Sequence, residues 1–415
     1  MRKILLPIVF NPFYLVFVFF FVVITLYGLS FSNLYKCNFL YLVYLYSFVF
    51  LILFFGVCLT STKLVLHKVR ALSVTIEAKN SACWAVLIFF TMGTIANLYE
   101  YTVVGWPIFL ENKVNRGQVI HYVHYITNFL MYSMAMSYFL CRNFVGFKRF
   151  VFALVFIFSF MQLFVWLNRG FITLTIVFAA FYEILLAYRK RELNFMMVKM
   201  SIILVLFIVF FGYLGDMRVA YVMENVYGHT INFHYGMPEI VPSSFVWVYM
   251  YSTSSFENFR HMLVNQEIEN FRYGLLMVYP FVAPIFKQIF EKKVDTYPYL
   301  DSVAGLNVSS FLESAYNDFG VFGAYIYVVF LTLLFLIALK FIARGVFGLL
   351  VFSSIVNIAL WMIFVNGFSI GPFVIGTIFF ILLSLVFERP TGSVTVVIHR
   401  LKAGGKRWRV GKQVL

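Results

Sequence analysis

Long apolar runs alternate with short polar ones along almost the whole chain. The apolar runs fall at approximately 4–29, 38–60, 81–98, 119–140, 150–167, 171–188, 200–214, 319–339, 346–366 and 371–387. A helix needs roughly 20 apolar residues to cross about 30 Å of hydrocarbon, so the pattern predicts about ten membrane-spanning helices. The runs are continuously apolar and lack the polar–apolar alternation of a membrane strand, so a barrel is excluded. Residues 215–318 form the one long hydrophilic interval. The expected fold is an all-α polytopic integral membrane protein. Residues 1–214 carry the first set of helices, 215–318 a large external loop, 319–387 the last helices and 388–415 a basic tail.

Local features refine this layout. Residues 150–188 are predominantly apolar, with a polar break at Asn168, Arg169 and Gly170, and one unbroken helix of that length would reach about 60 Å. A hairpin turning at Asn168-Arg169-Gly170 is therefore expected. It holds the guanidinium at the interface and avoids the roughly 2.5–3.5 kcal/mol cost of arginine at mid-bilayer. Tyr273 to Phe290 is apolar but interrupted by Pro280 and Pro284, which suits a short interfacial or re-entrant helix. The run after Lys3 is too long for a signal peptide and meets no small-residue cleavage site before Ser30, so it reads as a first anchor.

Composition agrees: 62% of residues are apolar and 12% charged, against about 25% charged in soluble domains, and the mean hydropathy is +0.90. The net charge of +15 raises nucleic acid as a partner. However, the basic residues lie in short clusters between apolar runs, the pattern that orients membrane helices. With both termini cytoplasmic, 22 of the 32 Lys and Arg fall inside and residues 215–318 fall outside. The four cysteines, Cys37, Cys58, Cys83 and Cys141, show no paired spacing, so neither a disulfide framework nor a zinc site is expected.

Near the end of the hydrophilic interval stand Asn307-Val308-Ser309-Ser310-Phe311 and Ala315-Tyr316-Asn317-Asp318-Phe319-Gly320-Val321-Phe322-Gly323. This stretch resembles the oligosaccharide repeat unit polymerases, the Wzy-type O-antigen polymerases. Gly215-Asp216-Met217-Arg218, Pro242-Ser243-Ser244 and Tyr251 to Phe259 look like that family's large-loop pattern, and the Arg169 turn fits it. The resemblance implies a GT-C-like polymerase/ligase architecture in a bacterial inner membrane with a periplasmic loop. The implied activity is transfer of a growing glycan from undecaprenyl diphosphate onto a lipid-linked repeat unit. A chain-length co-polymerase is the implied protein partner.

Read for chemistry alone, such a transfer needs cations for the departing phosphate and a base for the acceptor hydroxyl. Arginine suits the first role through its bidentate fork, and the external arginines Arg169, Arg218, Arg260 and Arg272 are the diphosphate candidates. Arg169 and Arg218 rank first, because they stand where apolar helices leave the bilayer. Interface snorkelling or a salt bridge to Asp216 or Glu257 is the competing role for each.

His261 is the first candidate base, since Glu257 and His261 would share a face if their segment is helical. His229, His234, Glu313 and Asp318 compete. Asn307, Tyr316 and Asp318 are candidate glycan contacts, although Asp318 equally suits a helix cap and Asn307 a turn. Trp106, Trp247, Tyr249 and Tyr251 are further aromatic candidates. His121 and His124 share a helix face, yet no cysteine or acidic partner lies nearby in sequence, so a packing role is expected. No DxD, HExxH, CxxC or phosphate-binding glycine loop occurs, so the expected reaction is inverting and independent of metal, ATP and other cofactors. An O-antigen ligase is the alternative enzyme. A lipid-linked oligosaccharide flippase is the alternative of another class, disfavoured because ionisable residues crowd helix ends rather than mid-membrane positions.

Overall fold

The computed structural model describes residues 10–33, 35–61, 80–106, 121–165, 169–190, 192–226, 240–265, 271–277, 310–342, 344–366 and 371–388, with residues 237 and 308 besides. Asn168, His229, His234, Asn307, most of the Tyr273-to-Phe290 segment and the tail from residue 389 lie outside these. Helix is the only regular secondary structure among the described residues. In chain order the helices are α1 (Pro12–Gly28), α2 (Phe39–Ser61), α3 (Asn80–Val104), α4 (His121–Thr127), α5 (Phe129–Asn143), α6 (Gly146–Val165) and α7 (Arg169–Lys190). They continue with α8 (Leu193–Val226), α9 (Ser243–Asn265), α10 (Phe311–Phe319), a 3-10 turn (Gly320–Phe322), α11 (Gly323–Phe341), α12 (Val346–Trp361) and α13 (Gly371–Phe387).

Among the described residues, every apolar run overlaps a helix. Five segments, Phe39–Cys58, Asn80–Val104, Gly146–Val165, Leu193–Phe210 and Phe311–Phe341, are long and apolar enough to cross a membrane, and Pro12–Gly28, Ile172–Tyr188, Val346–Trp361 and Gly371–Phe387 are shorter apolar helices. Their outer surface is apolar too: Phe147 is 79% exposed and Phe195 73%, in the company of Trp84, Ile95, Leu206 and Val386. Water would not tolerate so continuous a patch. The chain is an α-helical membrane protein.

The core is built on α12, whose residues from Val346 to Ala359 are all buried. Phe352 of α12 meets Phe10 and Phe181, and Phe13 of α1 meets Phe335 of α11 edge-on at 4.8 Å. Such tilted ring pairs contribute about 0.5–1.5 kcal/mol beyond area burial. The contacts also sort helix ends. Asn11 bonds the Gly56 carbonyl, Arg142 bonds Glu183, and Arg344 bonds the Glu388 carbonyl, gathering Arg142, Lys148, Arg149, Lys190, Lys340 and Arg344 at one end of the bundle. At the opposite end lie the α1–α2 connection, α9, α10, the start of α7 and the end of α12. There Tyr27 meets Glu257, Trp361 meets Thr173, and the amide of Phe311 meets the Met362 carbonyl.

Helices α6 and α7 occupy the interval 150–188, where a hairpin is expected; residues 166–168 between them lie outside the described residues, and Arg169 and Gly170 belong to the start of α7, not to a turn. Both pack against α5: Phe144, the residue that follows it, stacks on Phe152 of α6, and its Phe139 meets Tyr182 of α7. The interval 215–318 departs from an irregular loop. Helix α8 runs on past 214 to Val226 and α9 fills 243–265. At 34 residues α8 is about 51 Å long, well beyond the hydrocarbon thickness. No proline interrupts 215–226, so the fall in hydropathy at Asp216 does not end the helix.

Two glycines shape the junction of α10 and α11. Gly320 has φ +64° and lies under the Phe271 ring, while a Cβ on Gly323 would collide with the Ala315 carbonyl. Gly146 has a similar φ of +62° but open space around it. Gly146→Ala should therefore cost only the backbone penalty, about 1–2 kcal/mol. Gly323→Ala must displace backbone and should cost about 1–3 kcal/mol or more from overpacking alone. Thermal unfolding of the detergent-solubilised variants checks the order.

Candidate functional site

Helix α9 lies across the ends of α1 and α2 and is fastened there by tyrosines. Tyr35 Oη is 2.7 Å from Thr253 Oγ1, Tyr41 donates to the Phe256 carbonyl at 2.6 Å, and the Phe31 amide donates to Tyr249 Oη at 3.1 Å. These phenols bury apolar rings while giving each hydroxyl a partner, the condition for a buried tyrosine.

Glu257 is the centre of this contact and is 2% exposed. Tyr27 donates to its Oε2 at 2.6 Å, Arg260 donates to its Oε1 from Nε at 3.0 Å and from Nη2 at 2.6 Å, and the Lys36 amide approaches at 3.4 Å. Glu257 and His261 do share α9 one turn apart, as the spacing required. The carboxylate oxygens nevertheless engage Tyr27, Arg260 and the Lys36 amide, and His261 is half-buried. Arg260 gives two of its guanidinium nitrogens to Glu257, the salt-bridge alternative weighed for it.

The stretch around Asp318 holds a second arrangement. The Arg272 amide donates to the Asn317 carbonyl at 3.0 Å and the Tyr273 amide to the Asp318 carbonyl at 2.9 Å. The Asp318 carboxylate accepts the amides of Leu276 and Met277, both at 3.0 Å, and the Tyr327 hydroxyl at 2.9 Å. Phe319 covers Gly274 while Phe271 covers Gly320, so the two segments interlock through reciprocal glycine–phenylalanine contacts. Tyr273, a non-glycine residue, is held at φ +50°, a strained conformation that persists only where surrounding bonds enforce it.

Asp318 is fully buried, and the structure gives it a capping role. The cap serves the 275–277 turn, not the helix that follows Asp318 in sequence. What it positions is Arg272, whose backbone is fixed between Phe271 and the strained Tyr273.

Arg169 opens α7, and Arg218 lies in the last third of α8; their side chains, like all of Asn307, lie outside the described residues. Asn258 ties α9 to the Val308 carbonyl at 2.8 Å, and the half-buried Tyr316 packs edge-on to Phe259 at 6.0 Å. Of the other aromatics Trp247 is completely buried and Tyr249 nearly so, which removes them from glycan contact. Trp106 is 54% exposed and stacks on Tyr101 at 4.8 Å.

One pairing escaped the sequence. His124 does have an acidic partner: Glu100, near the end of α3 and 2% exposed, lies 3.0 Å from His124 Nδ1 and accepts from Thr127 Oγ1 at 2.8 Å. The available signal was a lone carboxylate at the end of an apolar run, which marks functional positions in membrane helices.

No protein-family model, curated protein or solved structure matches the chain.

The Glu257 contacts predict a graded response. Tyr27→Phe removes one hydrogen bond and should cost roughly 1–3 kcal/mol. Glu257→Ala leaves the Arg260 guanidinium, whose side chain is 14% exposed, without its carboxylate and should cost about 3–5 kcal/mol. Unfolding midpoints in detergent compare the two, and equal losses would contradict the assignment of Glu257 as the organising group.

Proposed function

We propose that this protein is a membrane glycosyltransferase that polymerises polyprenyl-diphosphate-linked oligosaccharides into O-antigen. The growing glycan leaves its undecaprenyl diphosphate and joins a lipid-linked repeat unit. The observation that carries the reading is the interlock of Phe271-Arg272-Tyr273-Gly274 with Asn317-Asp318-Phe319-Gly320. The stretch that resembles the repeat unit polymerases is the one that fixes the backbone of Arg272 at the end of an apolar bundle.

In this reading the chain crosses the inner membrane about ten times, with both termini cytoplasmic and 215–318 periplasmic. The gathering of Arg142, Lys148, Arg149, Lys190, Lys340 and Arg344 at the opposite end supports that orientation. Arg272, with Arg169 and Arg218, stabilises the diphosphate as charge builds on the leaving oxygen. An arginine whose backbone is already fixed has less freedom to lose on binding. His261 and Glu257 stand beside this region on α9. Glu257 orients Arg260, and the glycan extends past Tyr316.

A charge-assisted hydrogen bond is worth roughly 1.5–3 kcal/mol, so removing one diphosphate contact should slow transfer about 10- to 100-fold. Arg169→Ala, Arg218→Ala and Arg272→Ala, each expressed in a strain lacking its polymerase, should shorten the lipopolysaccharide ladder toward core bearing a single repeat unit. Full-length ladders from all three normally inserted variants would overturn the diphosphate clamp.

A further inference from the structure

Glu100 and His124 lie at the same end of the bundle as α9, yet the diphosphate-binding arrangement uses neither. Trp106, six residues on from Glu100, adds an exposed aromatic, and Asn128, four residues on from His124, adds a buried polar atom with no partner among the described residues.

The carboxylate comes first. Glu100 is buried near the last turn of an apolar helix, where an ionisable group needs a partner. Elsewhere the chain meets that need with arginine: Glu183 receives Arg142 through Nε at 2.6 Å and Nη2 at 3.0 Å, with Tyr138 adding a third bond at 2.7 Å. Glu100 receives an imidazole and a threonine hydroxyl instead. An arginine would neutralise the carboxylate permanently. A histidine can take up and release a proton near neutral pH.

The geometry sets the tautomer. A carboxylate against Nδ1 holds the proton on that nitrogen, which makes Nε2 the basic nitrogen of the ring and stabilises the imidazolium once Nε2 is protonated. The ring's backbone is anchored as well. The Asn128 amide and its Nδ2 both donate to the His124 carbonyl, at 3.1 and 2.7 Å. Among the described residues this leaves Asn128 Oδ1 buried with no hydrogen-bond partner, one helical turn from the imidazole. A ligand hydroxyl donating to this acceptor would satisfy it.

The aromatic group completes the set. Trp106 lies two residues beyond the end of α3, more than half exposed, and stacks nearly parallel on Tyr101 with 18° between the planes. Tyr101 in turn accepts from Asn97, which also donates to Gln162 of α6. The indole is thus braced from one side by residues that continue the Glu100 turn. A flat, braced indole beside polar hydrogen-bonding groups suits the apolar face of a sugar ring.

We propose that Trp106, His124 and Asn128 form the acceptor-sugar subsite of the polymerase, with His124 as the general base and Glu100 as its positioning residue. This rests on the glycosyltransferase reading above. The acceptor hydroxyl oxygen bonds to the anomeric carbon of the donor sugar. The bond from that carbon to the phosphate oxygen breaks, and the lipid diphosphate departs with the electron pair. The hydroxyl proton passes to His124 Nε2. The resulting imidazolium is held by Glu100 until water removes the proton.

The test uses the full-length protein in nanodiscs, with lipid-linked repeat unit extracted from a polymerase-deficient strain as substrate. General-base removal typically costs 10²–10⁴-fold. His124→Gln should therefore lower kcat at least about 100-fold with little change in KM. Glu100→Gln should lower kcat less, with partial recovery in Glu100→Asp. Trp106→Ala should instead raise the acceptor KM about tenfold and spare kcat, by loss of one aromatic contact worth roughly 1–1.5 kcal/mol. If His124→Gln fails to insert, Thr127→Val, which removes only the second bond to Glu100, takes its place and should lower kcat without moving KM. A kcat within threefold of wild type for the inserted His124 variant, or for Thr127→Val in its place, would overturn the proposal. Wild-type protein that makes no polymer would count against the polymerase reading instead. The subsite is then read by calorimetric binding of the same repeat unit, and equal affinity of Trp106→Ala and wild type would overturn it.

Discussion

A charge inside an apolar bundle must be paired, hydrogen-bonded or moved to an end, because several kcal/mol separate a satisfied buried ion from an orphaned one. Four of the buried carboxylates meet this constraint in a way that fixes a junction apolar packing would leave free to slide. Glu183 joins α5 to α7 through Arg142 and Tyr138. Glu257 joins α9 to α1 through Tyr27. Asp318 joins the 271–277 segment to α10 and α11. Glu388, after α13, accepts the first amides of α12 from Phe347 and Gly348 at 2.8 and 3.0 Å, satisfying donors that a helix start leaves open. Phenylalanine contacts fill the space between helices, while these carboxylates set where the helices stop.

That division explains what could be read from the sequence. Hydropathy measures which residues prefer hydrocarbon, and among the described residues each run it marks overlaps a helix. It does not measure where a helix ends. Asp216 and Arg218 lie on the continuation of α8, because no proline interrupts the backbone bonding there. Helix α9 is harder still. Its Ser252-Thr253-Ser254-Ser255 run has weak helix propensity, and its helicity depends on tyrosines at positions 27, 35 and 41, which lie more than 200 residues earlier in the chain. Apolar segment 119–140 reads as one span, whereas Asn128 divides it into α4 and α5, with its side chain turned back onto the His124 carbonyl.

The candidate residues divide along the same line. Glu257 and His261 were found because their relation is local, four positions on one helix. The partners that decide what Glu257 does are split: Arg260 is local and Tyr27 is not. Glu100 and His124 were missed as a pair because the 24 positions between them belong to two elements, and nothing in a linear spacing announces a contact across a helical turn-back.

The stretch from Asp318 to Gly323 illustrates how a recognisable motif and a reacting group can differ. Phe311–Phe341 is one apolar segment of 31 residues, and as a straight helix it would extend about 46 Å. The left-handed Gly320 and the close approach of Ala315 to Gly323 break it, so that α10 turns away and brings Asn317 and Asp318 beneath residues 271–277. The members of the motif thereby act mechanically. Gly320 and Gly323 permit the turn, Phe319 covers Gly274, and Asp318 caps the facing segment. None of them needs to touch a sugar or a phosphate to be required. A stretch of this kind identifies an architecture through the backbone it enforces. On the proposed reading, the chemistry belongs to the side chains that this backbone supports, Arg272 first among them.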